Sequence, residues 1–158
     1  MHARILVHVD NSSVSMRRMD EAAHLAARHK AALRFVYVVD GSKYAGGDCG
    51  MASRDADLIP WMEKAGEQVL QLGRQRAGAA GVAAQTVLLT VQAVPVADIV
   101  MEQARAWNAD ILVTGSRSGH LASRQVPGDS PIPMLLPHAT YPAEASVESA
   151  KTRVAAAA

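Results

Sequence analysis

"RILVHVDNSSVSMRRMDEAAHLAARHKAALRFVYVVD", Arg4 to Asp40, reads as strand, helix, strand, and this reading decides the fold class. Arg4 to Val9 is rich in β-branched residues and stops at Asp10, Asn11, Ser12 and Ser13, whose side chains suit a helix N-cap. From Met16 to about His29 the residues Met19, Ala22, Ala23, Ala26 and Ala27 recur at helical spacing, which leaves Arg17, Arg18, Glu21 and Arg28 mostly towards water. Leu33 to Asp40, "LRFVYVVD", is almost continuously apolar, as a strand buried on both faces of a parallel sheet must be.

The same alternation continues outward. "GSKYAGGDCGMASRDAD", from Gly41, has four glycines and no period, so an exposed, mobile loop is expected. Leu58 to about Ala77 is helical, with Met62, Ala65, Val69, Leu72 and Arg76 along one side, until "AGAAG" stops it. Gln85 to Val91 is a third strand. Val96, Val100, Ala104 and Trp107 trace a third helix, and "DILVT", Asp110 to Thr114, is a fourth strand. Strands that alternate with helices lie parallel, because each crossover returns the chain to the same end of the sheet. The expected fold is therefore α/β: one doubly wound, mostly parallel sheet of four to five strands with helices on both faces, Rossmann-like. Ligands of such sheets bind beyond the C-terminal strand ends, where Asp10, Asp40 and Gly115 fall.

Composition narrows the function classes. At 158 residues and 49% hydrophobic residues, the chain suffices for one ordinary domain. A formal net charge of +1 provides no overall field for nucleic acid or an anionic membrane, so neither is expected as a partner. The lone Cys49 excludes an internal disulfide and suits a reducing cytoplasm. "MHARILVHVD" has no signal-peptide apolar region, and no run reaches membrane-spanning length. The six histidines form no visible ligand cluster: His24 and His29 are five apart, off one helical face. His8, in the first strand, reads as a packed strand residue beside the pocket.

Motif spacing then removes several doubly wound options. A dinucleotide fold would place G-x-G-x-x-G after the first strand, where this chain has "DNSSVS". No lysine follows a glycine pair at P-loop spacing. No nucleophile elbow occurs, and Cys49 has no assigned base, so no catalytic residue and no reaction is read from the sequence.

"RILVHVDNSSVSMRRMDEAAHLA", "LRFVYVVD" and "ADIVMEQARAWNADILVTGSRSG" together resemble the universal stress protein family over roughly residues 3 to 142. The resemblance implies an adenine nucleotide, ATP or a relative, in the crevice at the ends of strands one and four, with Mg²⁺ only as the nucleotide's counter-ion. It implies that Asp10 meets ribose or adenine, that Val38 lies at the adenine wall, and that a phosphate loop G-2x-G-9x-G-[ST] follows strand four. Gly115 matches its first glycine, Ser118 stands in the second slot and Gly128 in the third. Asp129 takes the final slot, or Ser130 fills it if Asp129 is an insertion. The family also implies a stress-response role and a homodimer through its last strand. Two departures bear on this. Pro127, Pro131, Pro133 and Pro137 oppose a fourth helix, since an interior proline costs about 3 kcal/mol. After Pro142, "AEASVESAKTR" lacks strand-like alternation. Residues 1–142 are accordingly read as the domain, and 143–158 as a tail with a weak or absent fifth strand. The alternative function is a family member that has lost its nucleotide and acts as an interaction or scaffold protein.

Overall fold

The computed structural model describes residues 3–41, 52–114 and 134–135, with backbone alone for 52–57 and 134–135. The chain order is β1 (Arg4–His8), α1 (Ser13–His29), β2 (Ala32–Asp40), α2 (Ala52–Ala79), β3 (Ala84–Val91), α3 (Val96–Ala106), β4 (Ile111–Val113) and β5 (Met134–Leu135). All pairings are parallel, and the strand order is β3-β2-β1-β4-β5. The order reverses between β1 and β4, so those two strands flank the switch point where a doubly wound sheet opens its crevice.

Pleat alternation sorts the core into two layers. Ile5, Val7, Leu33, Phe35, Val39 and Val113 face α1 and α2, and Leu6, Val36 and Leu112 face α3 with Val100 and Ala104. Helix α1 starts at Ser13, directly after the turn whose side chains suit an N-cap. Ser12 is its N-cap and accepts from the Ser15 N–H, and Lys30 in the left-handed region closes its C-terminus.

The second helix departs from the sequence reading in two ways. It starts at Ala52, inside the stretch expected to be loop, and carries Pro60 within it. Twenty-eight residues span about 42 Å, against about 30 Å for the nine of β2, so the helix overruns the strands it covers. An overhanging segment shows no core period. Its buried face is also rotated from the expected stripe: Gly66, Val69, Leu70, Gly73 and Ala77 face the sheet, and Leu72 and Arg76 are only half-buried. The glycines make room for rings. A Cβ at Gly66 would come within 2.7 Å of Tyr37, and one at Gly73 within 3.0 Å of Phe35.

The fifth strand also differs in place. It pairs Met134 with Leu112 and Leu135 with Val113, ahead of Pro142 rather than after it. The prolines on either side, Pro133 and Pro137, restrict a ladder that needs N–H donors. Residues 143–158, the expected tail, lie outside the described residues.

Candidate functional site

The crevice is built where β1 ends. Asp10 follows the strand, and its Oδ1 accepts from the Ser12 N–H at 2.8 Å and from the Ser12 hydroxyl. The Asp10 N–H donates to Ser15 Oγ at 2.7 Å, and the Ser15 N–H in turn donates to Ser12 Oγ at 3.2 Å. Ser12, not Asp10, therefore caps α1. Capping needs only Ser12, and among the described residues Asp10 Oδ2 receives no hydrogen bond. Burial works against the Asp10 charge, but the Ser12 hydrogen bonds, then Arg18 and His8, outweigh it and hold the carboxyl below its ordinary value.

Around this turn, among the described residues, three side chains are buried with an unpartnered polar atom. Arg18 is 1% exposed; its Nη1 donates to the His8 carbonyl at 3.2 Å while Nε has no partner. His8 Nδ1 and Thr114 Oγ1 are likewise unpartnered. The β1–β4 register pairs Leu6 with Leu112 and Val7 with Val113, so one further step sets Thr114 opposite His8. Both then lie on the α3 face of the pleat, like Leu6 and Leu112. Among the described residues a fourth such atom is Arg76 Nε, whose guanidinium holds Asp20 at 2.5 Å on the far side of α1. Buried polar atoms are normally satisfied, and leaving one unpaired costs about 1–3 kcal/mol. Two of them, His8 Nδ1 and Thr114 Oγ1, share the α3 face at the switch point, and Arg18 Nε lies beneath α1 on the other.

The imidazole is held neutral. Burial lowers the His8 pKa to about 4, with Arg18 adding to the effect and Asp10 opposing it. Arg18 is lowered by burial and supported by Asp10, so the carboxylate is its electrostatic counterpart without touching it.

Of the sequence-derived site residues, the structure brings Asp10 and Val38 to the same end of the sheet. Val38 is half-buried and packs on the α3-side core two residues beyond Val36, the register partner of His8. Gly115, Ser118, Gly128 and Ser130 lie outside the described residues. Arg18 was expected towards water and is instead buried. Its spacing, three after Ser15 and four before Ala22, places it on the inward stripe, a signal masked by its charge. Thr114 drew no role from the sequence because a strand-terminal threonine is unremarkable until its burial is seen. Among the described residues no group of three or more His, Cys, Asp or Glu side chains is placed to hold a metal. No described helix is long and apolar enough to cross a membrane.

The family model described as the universal stress protein family matches residues 1–130. The chain belongs to the universal stress protein family. A universal stress protein family member from Burkholderia pseudomallei is 29% identical, with 86% of this chain and 96% of that chain covered and a TM-score of 0.68. The universal stress protein from Archaeoglobus fulgidus in complex with dAMP is similar in fold, at 21% identity, 85% and 97% coverage and a TM-score of 0.61. So is a universal stress protein in complex with cAMP, at 23% identity, 87% and 97% coverage and a TM-score of 0.55. No curated protein matches the chain.

Proposed function

We propose that this universal stress protein is a stress-response module that binds an adenine nucleotide, ATP or a relative, in the crevice between the C-terminal ends of β1 and β4. One observation carries the reading: among the described residues His8 Nδ1 and Thr114 Oγ1 are buried and unpartnered on the α3 face at the switch point beside an Asp10 whose Oδ2 is unused, while the buried Arg18, unpartnered at Nε, reaches the His8 carbonyl from α1 on the other face. A carboxylate oxygen and a neutral imidazole nitrogen accept hydrogen bonds and a hydroxyl does either, so Asp10, His8 and Thr114 suit the hydroxyl and amino donors of a nucleoside, whereas Arg18 Nε–H can only donate. The related proteins in complex with dAMP and cAMP support an adenine ligand. In this reading Val38 flanks the base, and Gly115, Ser118, Gly128 and Ser130 present N–H groups and hydroxyls to the phosphates, Mg²⁺ arriving only with the nucleotide.

The competing reading, an interaction or scaffold protein without nucleotide, draws on the Ser12 bonds that already occupy Asp10 Oδ1. Titration calorimetry with ATP separates the two. The parent is expected to bind, and Asp10→Ala to bind about tenfold or more weakly, the loss of one charge-assisted hydrogen bond. A thermal melt of each free protein checks that the turn survives. A parent that neither retains nucleotide through purification nor binds it in the calorimeter leaves the scaffold reading.

A further inference from the structure

Among the described residues strand β3 is an edge strand of the sheet, and eight residues is long for such a position. Its sequence, "AQTVLLTV", has no charge and no proline, the features by which exposed edges ordinarily avoid pairing with another chain. Val87, Leu88 and Leu89 are only half-buried, although they belong to the margins of the two core layers. We propose that the β3 edge is a homodimer interface, in which two copies pair their β3 strands antiparallel about a two-fold axis and continue one sheet across both subunits.

The overlying helix supplies the second observation. Helix α2 packs over both β2 and β3. Strands are spaced about 4.8 Å apart, so joining two β3 edges sets the two α2 axes about 10 Å apart, within reach of direct helix packing. The outer flank of α2 is then what the partner meets. Arg76 faces α1 through Asp20, and Glu63 faces the edge through its hydrogen bond from the Thr90 hydroxyl. Glu67 and Arg74 follow Glu63 at four and eleven residues, on that same flank. Both are exposed, and among the described residues neither forms an ion pair.

The geometry makes this flank self-complementary. Gly73 lies against Phe35, whose strand partner is Thr86, and Gly66 lies against Tyr37 and Leu88. The middle of the Gly66–Gly73 stretch therefore lies over Val87. A two-fold axis at Val87 opposes Thr86 to the partner's Leu88 and Gln85 to the partner's Leu89, with no like charges facing each other on the strands. It also carries each Arg74 to the level of position 65 on the facing helix, between that helix's Glu63 and Glu67. A two-fold interface repeats every contact, so the charge match occurs twice. The proposal stands independently of whether the crevice holds a nucleotide.

Sedimentation equilibrium of the full chain between 5 and 200 µM, together with hydrogen exchange, tests it. The parent is expected to dimerise, and amides within Thr86 to Thr90 to gain protection as concentration rises. Arg74→Glu places three acidic groups together twice and should raise the dimer dissociation constant about tenfold or more. The double change Glu67→Arg with Arg74→Glu should restore it to within about threefold of the parent, since the swapped charges match again. Circular dichroism melts show that these exposed changes leave the fold intact. A parent that is monomeric throughout, a dimer indifferent to Arg74→Glu, or concentration-dependent protection located elsewhere overturns the proposal.

Discussion

At the N-terminal end of the sheet, Arg34 stacks 4.3 Å from the Trp107 ring centroid and gives Nε and Nη2 to Gln85 Oε1 at 3.0 and 2.6 Å. Arg4 donates Nη1 to the Trp107 carbonyl at 2.8 Å, and the Arg4 N–H donates to Asp110 Oδ2 at 2.8 Å. Two guanidiniums, a ring and the C-terminus of α3 thus supply one another's partners. At the C-terminal end, His8, Arg18 and Thr114 are buried, unlike these exposed or half-buried groups, yet among the described residues each has a polar atom without a partner. The same chain therefore satisfies polar groups at one end of its strands and leaves them open at the other. Stability alone explains the first end. The second is the end that the proposed function leaves open for a ligand, and on that reading mutations at the two ends should have opposite signatures.

Acid should produce the largest difference. The unfolded chain binds a proton on His8 near pH 6.5, while burial postpones protonation in the folded protein to about pH 4. Between those values the unfolded state holds more protons, so stability falls as pH falls, by about 3 kcal/mol across the window. Above pH 6.5 this loss is absent. Denaturant melts of the parent from pH 7 to 4 should show the decline, and His8→Phe should flatten it. Asp10, whose pKa is depressed, acts in a lower window: its contribution is present above its ordinary value of 3.8 and is lost below it. Parallel pH slopes for parent and His8→Phe would remove His8 as the acid-sensitive group.

At the partnered end, Trp107→Ala should cost about 2 kcal/mol. The half-buried ring contributes apolar contact and carries the stacked Arg34, with Arg4 6.0 Å from its centroid. Nucleotide affinity should not change, because the ring lies at the opposite end of the strands from the crevice. Calorimetry on the same preparation checks that separation.

Much of this architecture is legible in the sequence because the core obeys periods: Leu33 to Asp40 is continuous, and Val96, Val100 and Ala104 recur at helical spacing. What escaped has physical reasons. Gly66 and Gly73 are invisible to a hydrophobic stripe, yet they define the face of α2 by admitting Tyr37 and Phe35. Arg18 looked solvent-exposed because charge is the usual marker of exposure, and only the fold shows it reaching the His8 carbonyl. Asp10 was legible as a strand-end carboxylate, but its division of labour with Ser12 depends on turn geometry. Met134 and Leu135 are too few, between prolines, to announce a strand.

Thr114→Val should have the smallest effect on the free protein and the most diagnostic sign. The hydroxyl is fully buried at 0% exposure and its Oγ1 is unpartnered, so valine, of nearly the same shape, removes a desolvated group without opening a cavity. A threonine that served only the fold would already be hydrogen-bonded, and its replacement would be destabilising. Here the expected change is a gain of up to about 1 kcal/mol, read from denaturant melts without ligand. Adding ATP should reverse the order. If the hydroxyl meets the nucleotide, the parent gains more from the same excess of ligand than the variant does, because binding to the folded state at free ligand concentration L stabilises by RT ln(1 + L/Kd), which is larger for the tighter binder. A variant destabilised in both conditions would mean that Thr114 has a structural partner, and the contrast between the two ends of the sheet would lose its central residue.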